Sequence, residues 1–114
     1  MLLKRIVIIL LALAPVLAAV DHNVALTGVA NGPPKGPWQW TVFIKGSPEA
    51  VGHVRCVQYA IKGNFPNPYR TVCEAGARER AYGTGGTTWG PFSVSATVIF
   101  DDKTTKPLSF SWRP

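Results

Sequence analysis

The chain has 114 residues, which leaves room for one domain of ordinary size and no more. Twelve Lys and Arg face six Asp and Glu, yet the basic residues are scattered and form no block of the kind that tracks a nucleic-acid backbone. Two Cys, two His and no Cys-x-x-Cys pair exclude a conventional metal centre, and no cofactor is expected.

Lys4 and Arg5 precede a wholly apolar run from Ile6 to Ala14, and Val16-x-Ala18 supplies the −3 and −1 residues of a cleavage site. This is the pattern of a secretory signal peptide over residues 1–18. It places the mature protein in the periplasm or outside the cell. The run from Ile6 to Val20 is broken by Pro15 and falls short of the roughly 20 residues of a spanning helix; an uncleaved membrane anchor is the alternative. Without Lys4 and Arg5, ten basic residues remain against six acidic, a mild positive excess.

Residues 19–37 hold Gly28, Gly32, Pro33, Pro34, Gly36 and Pro37, and read as an extended, mobile N-terminal arm that includes His22. From residue 38 to 114 the pattern is that of strands. Trp38, Trp40, Val42 and Ile44 alternate with polar or exposed positions until Gly46-Ser47-Pro48. Val57, Tyr59 and Ile61 form the apolar face of a second strand within Val54 to Ile61. Phe65-Pro66-Asn67-Pro68 is a turn in which two prolines preset φ. Extended structure resumes at Arg70 to Cys73, and Glu79 to Tyr82 is assigned to another strand. Gly83 to Thr88 reads as a flexible loop. Phe92, Val94, Ala96, Val98 and Phe100 give the cleanest period of two in the chain, Asp101 and Asp102 a solvated turn with no basic group tied to it, and Leu108, Phe110 and Trp112 a last strand. Short strands at regular spacing, separated by Gly and Pro, predict an all-β sandwich with no mature helix of any length.

Cys56 and Cys73 flank the Phe65 turn, each on the opposite side of its strand from the apolar face. In an exported chain, oxidation is the default. Close strands would bring the thiols together and close a loop of 16 intervening residues, worth roughly 3 kcal/mol in the chain-entropy model. Two separate thiols are the other reading.

Three motifs in this order, Trp40-Thr-Val-Phe-Ile-Lys-Gly46, Val57-Gln-Tyr59-Ala-Ile61 running into Phe65-Pro-Asn-Pro68 with Arg70 and Val72 behind it, and Thr88-Trp89-Gly90-Pro91-Phe92, resemble the YEATS family, specifically its prokaryotic branch. The resemblance covers about Trp38 to Trp112. It implies an immunoglobulin-like β-sandwich with binding loops clustered at one end. Eukaryotic members read acylated lysine between two aromatic rings; by position these rings are Phe65 and Trp89. The family's His and Ser before the first ring fall on Lys62 and Asn64, and the Gly before the second falls on Thr88. A lysine ammonium cannot accept a hydrogen bond, so Lys62 turns that rim against basic peptides and towards a carboxylate or phosphate.

The resemblance therefore points to a non-catalytic module that binds a peptide or small ligand, an acylated lysine or an acidic group, through Lys62, Asn64, Phe65, Thr88, Trp89 and Gly90. Each aromatic has a packing alternative: Phe65 as a plug for the end of the sandwich, Trp89 as a corner residue under Gly90 and Pro91. The competing function is an exported assembly protein that pairs with an envelope partner through a sheet edge or face. An enzyme is not expected, because no Ser–His–acid set or phosphate loop can be drawn from these residues.

Overall fold

The computed structural model describes residues 20–63 and 65–114; residues 1–19, which hold the expected signal-peptide pattern of 1–18, and Asn64 lie outside the described residues. Seven strands follow in chain order: β1 Val24–Asn31, β2 Trp38–Gly46, β3 Val54–Lys62, β4 Tyr69–Val72, β5 Ala81–Thr88, β6 Phe92–Phe100 and β7 Thr105–Trp112. A five-residue helix, α1 (Pro48–Gly52), joins β2 to β3, and a 3-10 turn at Arg78–Arg80 precedes β5. The strands form two antiparallel sheets, β1-β2-β5 and β4-β3-β6-β7. This is the all-β sandwich that the alternation predicts, in the two-sheet, immunoglobulin-like form that the family resemblance implies.

The alternation sets which side chains meet. Trp40, Val42 and Ile44 of β2 face Val57, Tyr59 and Ile61 of β3 and Phe92, Val94, Ala96, Val98 and Phe100 of β6, and all are buried. Two tyrosines stitch the sheets together. Tyr59 Oη of β3 donates to the Tyr82 carbonyl of β5 at 2.6 Å, and Tyr82 Oη donates back to the Val54 carbonyl of β3 at 2.7 Å. Burial pushes both phenols up from their ordinary pKa, so they remain donors at neutral pH. A bulge makes the second bond reachable: between Val42 and Ile44 the β2–β5 register skips, and Tyr82 takes a φ of 54°. Tyr59→Phe leaves the Tyr82 carbonyl without its partner in the core, and denaturant unfolding should show a loss of about 1–3 kcal/mol.

Four elements differ from the sequence expectation: one turn of helix, α1, stands where none was expected, the strand expected at Glu79–Tyr82 begins only at Ala81 after the 3-10 turn, and two further segments change class. Residues 24–31 are not part of a free arm; they form β1, paired with β2 along its whole length from Val24↔Gly46 to Asn31↔Gln39. The sandwich therefore starts before Trp38. An edge strand with one covered face and no strict alternation carries little periodic signal, which is why Gly and Pro dominated the reading. Gly83 to Thr88 is likewise not a loop but most of β5. Its glycines answer a packing need: a Cβ at Gly86 would sit 3.3 Å from the Trp40 indole, so the strand passes close over a buried Trp only because it lacks side chains there.

The register separates two poles. At one, Trp38↔Thr88 and Lys62↔Ser93 bring together the β1–β2, β3–β4 and β5–β6 connections. At the other, Val24↔Gly46 and Val54↔Phe100 gather the entering chain, α1 and the β6–β7 turn. Here the aspartates are not merely solvated. His22 Nε2 lies 2.8 Å from Asp102 Oδ2 and its ring packs on Phe100, while His53 Nδ1 lies 2.9 Å from Asp101 Oδ2. Both pairs are long-range in sequence, which hid them from a local reading, and His22 anchors the entering chain instead of trailing from it.

The Asp101 hydrogen bond, with further help from the charges of Asp101, Glu49 and Asp102, raises His53 above its ordinary 6.5. Hydrogen bonds from Thr104, and then His22, lower Asp102 below 3.8. A raised histidine contributes stability that is complete below 6.5 and is lost as pH rises through its folded value. A lowered carboxylate contributes stability above 3.8 that is lost as pH falls through its folded value. The Tm gap between the wild type and Asp101→Asn should therefore narrow between pH 6 and pH 8. A gap independent of pH would remove the His53–Asp101 pair from the stability account.

Candidate binding cleft between two aromatic loops

The first wall of the cleft grows out of β3. Past Lys62 the chain turns at Gly63, whose φ of 146° suits glycine and whose missing Cβ leaves room for the Phe65 ring, which would otherwise be 2.4 Å away. Phe65 is half-buried and meets Trp40 and Phe92 edge-on, with centroids 5.7 and 6.1 Å apart. Such tilted contacts fix a ring more than they hide it. Ile61 N donates to the Pro68 carbonyl at 2.8 Å and closes the turn.

Arg70 then ties this wall to the opposite sheet. Its Nε donates to the Asn67 carbonyl at 3.0 Å, and its Nη1 donates to Thr84 Oγ1 and the Gly85 carbonyl at 2.9 and 2.6 Å. The guanidinium sits 5.6 Å from the Trp40 ring centroid, within cation–π range. The Phe65 turn is thus braced from below by Trp40 and from the side by Arg70. Sequence reasoning placed Arg70 in a motif but gave it no task. Its inward parity with Val72 on β4 was the available signal.

The second wall is the β5–β6 corner. Thr88 is buried and its hydroxyl is committed to the turn, donating to the Gly90 carbonyl at 2.8 Å and accepting from Gly90 N at 3.3 Å. That clamp lifts Trp89 out of the fold: its side chain is 73% exposed while Thr88 before it and Phe92 after it are buried. Trp89 does not pack under Gly90 and Pro91.

Between the walls lies a cavity of about 300 Å³, with Gly63 and Phe65 on one side and Thr87 to Pro91 on the other. Among the described residues no ionisable side chain lines it. The structure therefore brings Phe65, Thr88, Trp89 and Gly90 together. It puts Lys62 outside, in an adjoining depression that shares Gly63 and Pro91 with the cleft. Thr87 was not singled out in the sequence, and Pro91 only as part of the corner motif. Among the described residues no cluster of His, Cys, Asp or Glu could hold a metal ion. The lining is two aromatic residues, two threonines, two glycines and a proline, a setting suited to a flat uncharged group.

On β3, Val57 pairs with Val72 of β4, and Cys56 and Cys73 are joined on the far side of that pair as a disulfide. The covalent link spans the base of the Phe65 turn.

A small immunoglobulin-like sandwich with a two-aromatic cleft at one pole is the class that these features define. Residues 38–112 match the family described as the prokaryotic YEATS domain, and the chain belongs to that family. Among solved structures, the fold is similar to "The Yaf9 YEATS domain Recognizing H3K122suc Peptide", with a TM-score of 0.57 and 18% identity over 84% of this chain and 77% of that one. It is also similar to the yeast AF-9 homolog protein Yaf9, with a TM-score of 0.51 and 20% identity over 80% of this chain and 66% of that one. A search of curated proteins found no match.

Proposed function

We propose that this domain is a non-catalytic recognition module whose ligand, a peptide or a small molecule, enters the cleft between Phe65 and Trp89. The observation that carries the reading is Trp89, a large aromatic held in solvent by the Thr88–Gly90 clamp beside an uncharged cavity. Exposing an indole forfeits about 1.5–3 kcal/mol of burial, and a clamp that enforces exposure is consistent with a ring reserved for a partner. Family membership supports the same reading, and the similar structure that recognises an H3K122suc peptide supports an acylated lysine as the first ligand to try. Export remains part of the proposal: the leader pattern of residues 1–18 and the Cys56–Cys73 disulfide both fit an oxidising compartment. The entering chain at Val24 lies at the pole opposite the cleft.

The test separates binding from folding. Acetyl-, crotonyl- and succinyl-lysine peptides titrated into the oxidised protein should shift Trp89 and Phe65 resonances in heteronuclear spectra. Trp89→Ala should abolish those shifts while stability stays within about 0.5 kcal/mol, as for other exposed sites. Phe65→Ala should lose binding and also about 1–3 kcal/mol, because its ring is part of the packing against Trp40 and Phe92. Unchanged binding by Trp89→Ala would sink the cleft as the recognition site and leave the assembly-protein reading in its place.

A further inference from the structure

The depression beside the cleft has a chemistry of its own. Lys62 of β3 stands opposite Ser93 of β6, and Ser93 opposite Ser111 of β7, all three facing outward because Ile61, Phe92 and Trp112 face inward. Neighbours in such a row have Cβ atoms about 4.5–5.5 Å apart. Arg113 lines the same depression at its far side, together with Trp112. The row itself reads cation, hydroxyl, hydroxyl across three strands, and Arg113, two residues beyond Ser111 and past the end of β7, adds a second cation to the same depression. The next rows on this face, Ala60–Ser95–Ser109 and Gln58–Thr97–Pro107, carry no charge.

No acidic side chain is at hand. None of the six carboxylates of the chain lines either the cleft or this depression. Asp21, Glu49, Asp101 and Asp102 sit at the opposite pole, where His22, His53 and Ser47 engage all of them but Glu49. This face of the cleft pole thus carries two cations with no acidic side chain beside them, together with two hydroxyls that can donate to an oxyanion.

We infer that Lys62, Ser93, Ser111 and Arg113 form an anion subsite continuous with the aromatic cleft, and that the ligand is an acidic peptide. Its one inserted side chain occupies the space between Phe65 and Trp89, while Asp or Glu carboxylates beside it lie over the cationic row. The inference rests on the cleft reading above and deepens it: the aromatic walls accept an uncharged group, and the row selects the charge of the flanking residues. Gly63 and Pro91, shared by both depressions, are the saddle over which the peptide backbone passes.

The experiment uses the oxidised chain and peptides with a central acetyl-lysine, flanked by three Asp, three Ala or three Lys on each side, plus the Asp-flanked peptide without the acetyl group. Anisotropy should rank them Asp over Ala over Lys, with about a ten-fold advantage of Asp over Ala at 50 mM salt, as expected for two rim charge pairs. That advantage should collapse at 500 mM salt, where the Debye length is only about 4 Å. Lys62→Glu combined with Arg113→Glu should reverse the ranking with unchanged thermal stability, since both side chains are exposed. Equal affinity for all three acetylated peptides would overturn the subsite and leave the cleft intact. Binding of the unacetylated Asp peptide as tightly as the acetylated one, sensitive to the two charge reversals but not to Trp89→Ala, would keep the subsite and remove the cleft reading. No binding by any peptide would overturn the acidic-peptide assignment.

Discussion

Replacing Trp40 with alanine is expected to destabilise the domain by about 3–5 kcal/mol, the range for deleting a buried aromatic. Trp40 is 2% exposed and contacts the Phe65 and Phe92 rings, with Arg70 stacked over it and β5 passing across it at Gly86. Gly86, which passes over the ring, has no side chain to move into the hole, so the cavity term should be near its full size. For a domain of this length each kcal/mol moves Tm by roughly 4–8 °C, so a thermal scan resolves the effect easily. Trp40→Phe is the informative partner variant. The indole Nε1 is buried and finds no hydrogen-bond partner among the described residues, and an unmet donor costs about 1–3 kcal/mol. Phenylalanine sheds that cost while losing some packing, so it should cost at most about 2 kcal/mol. A loss below about 1 kcal/mol for Trp40→Ala would mean that the Phe65 turn collapses into the space, and the cleft would then have no rigid floor.

That floor was only partly legible in the sequence. The strands with one face in the core declared themselves by parity: β6 alternates without a break, and β2 and β3 nearly so. Parity also put Cys56 and Cys73 on one side of the sheet, where they are bonded. β1 was hidden because an edge strand with Gly28 and small residues has no apolar period to read. β5 was hidden because Gly85 and Gly86 serve the neighbouring Trp40, a contact between strands far apart in sequence. The same limit applies to the His22–Asp102 and His53–Asp101 pairs, and to the Lys62–Ser93–Ser111 row, which exists only once β3, β6 and β7 are in register. Phe65 and Trp89 could be placed on loops from their Pro and Gly neighbours. Which of them packs and which stands in solvent depends on the Thr88 clamp and on Trp40, and neither shows in the local pattern.

The second large effect belongs to the disulfide. Cys56 and Cys73 are 17 positions apart, and a cross-link closing a loop of that length restricts the unfolded chain by roughly 3 kcal/mol. A domain of this size has about 5–15 kcal/mol in total, so Cys56→Ser with Cys73→Ser should lower the urea midpoint well clear of error and raise m, because the unfolded chain exposes more surface. Reducing the wild type should reproduce that shift, and reducing the double variant should do nothing. A shift under about 1 kcal/mol would show that the unfolded chain is already confined there, with the Pro66–Pro68 turn the natural cause. The position of the link gives the prediction its functional weight. The loop it closes is the β3–β4 turn that carries Phe65, while Trp89 stands on a corner outside it. Loss of the disulfide should therefore make hydrogen exchange faster first at Ile61, whose amide closes that turn on Pro68, and leave the Thr88–Gly90 clamp protected. Affinity would then fall through one wall of the cleft while the other stays in place, and in a reducing compartment the domain would hold its fold but present only half of its site.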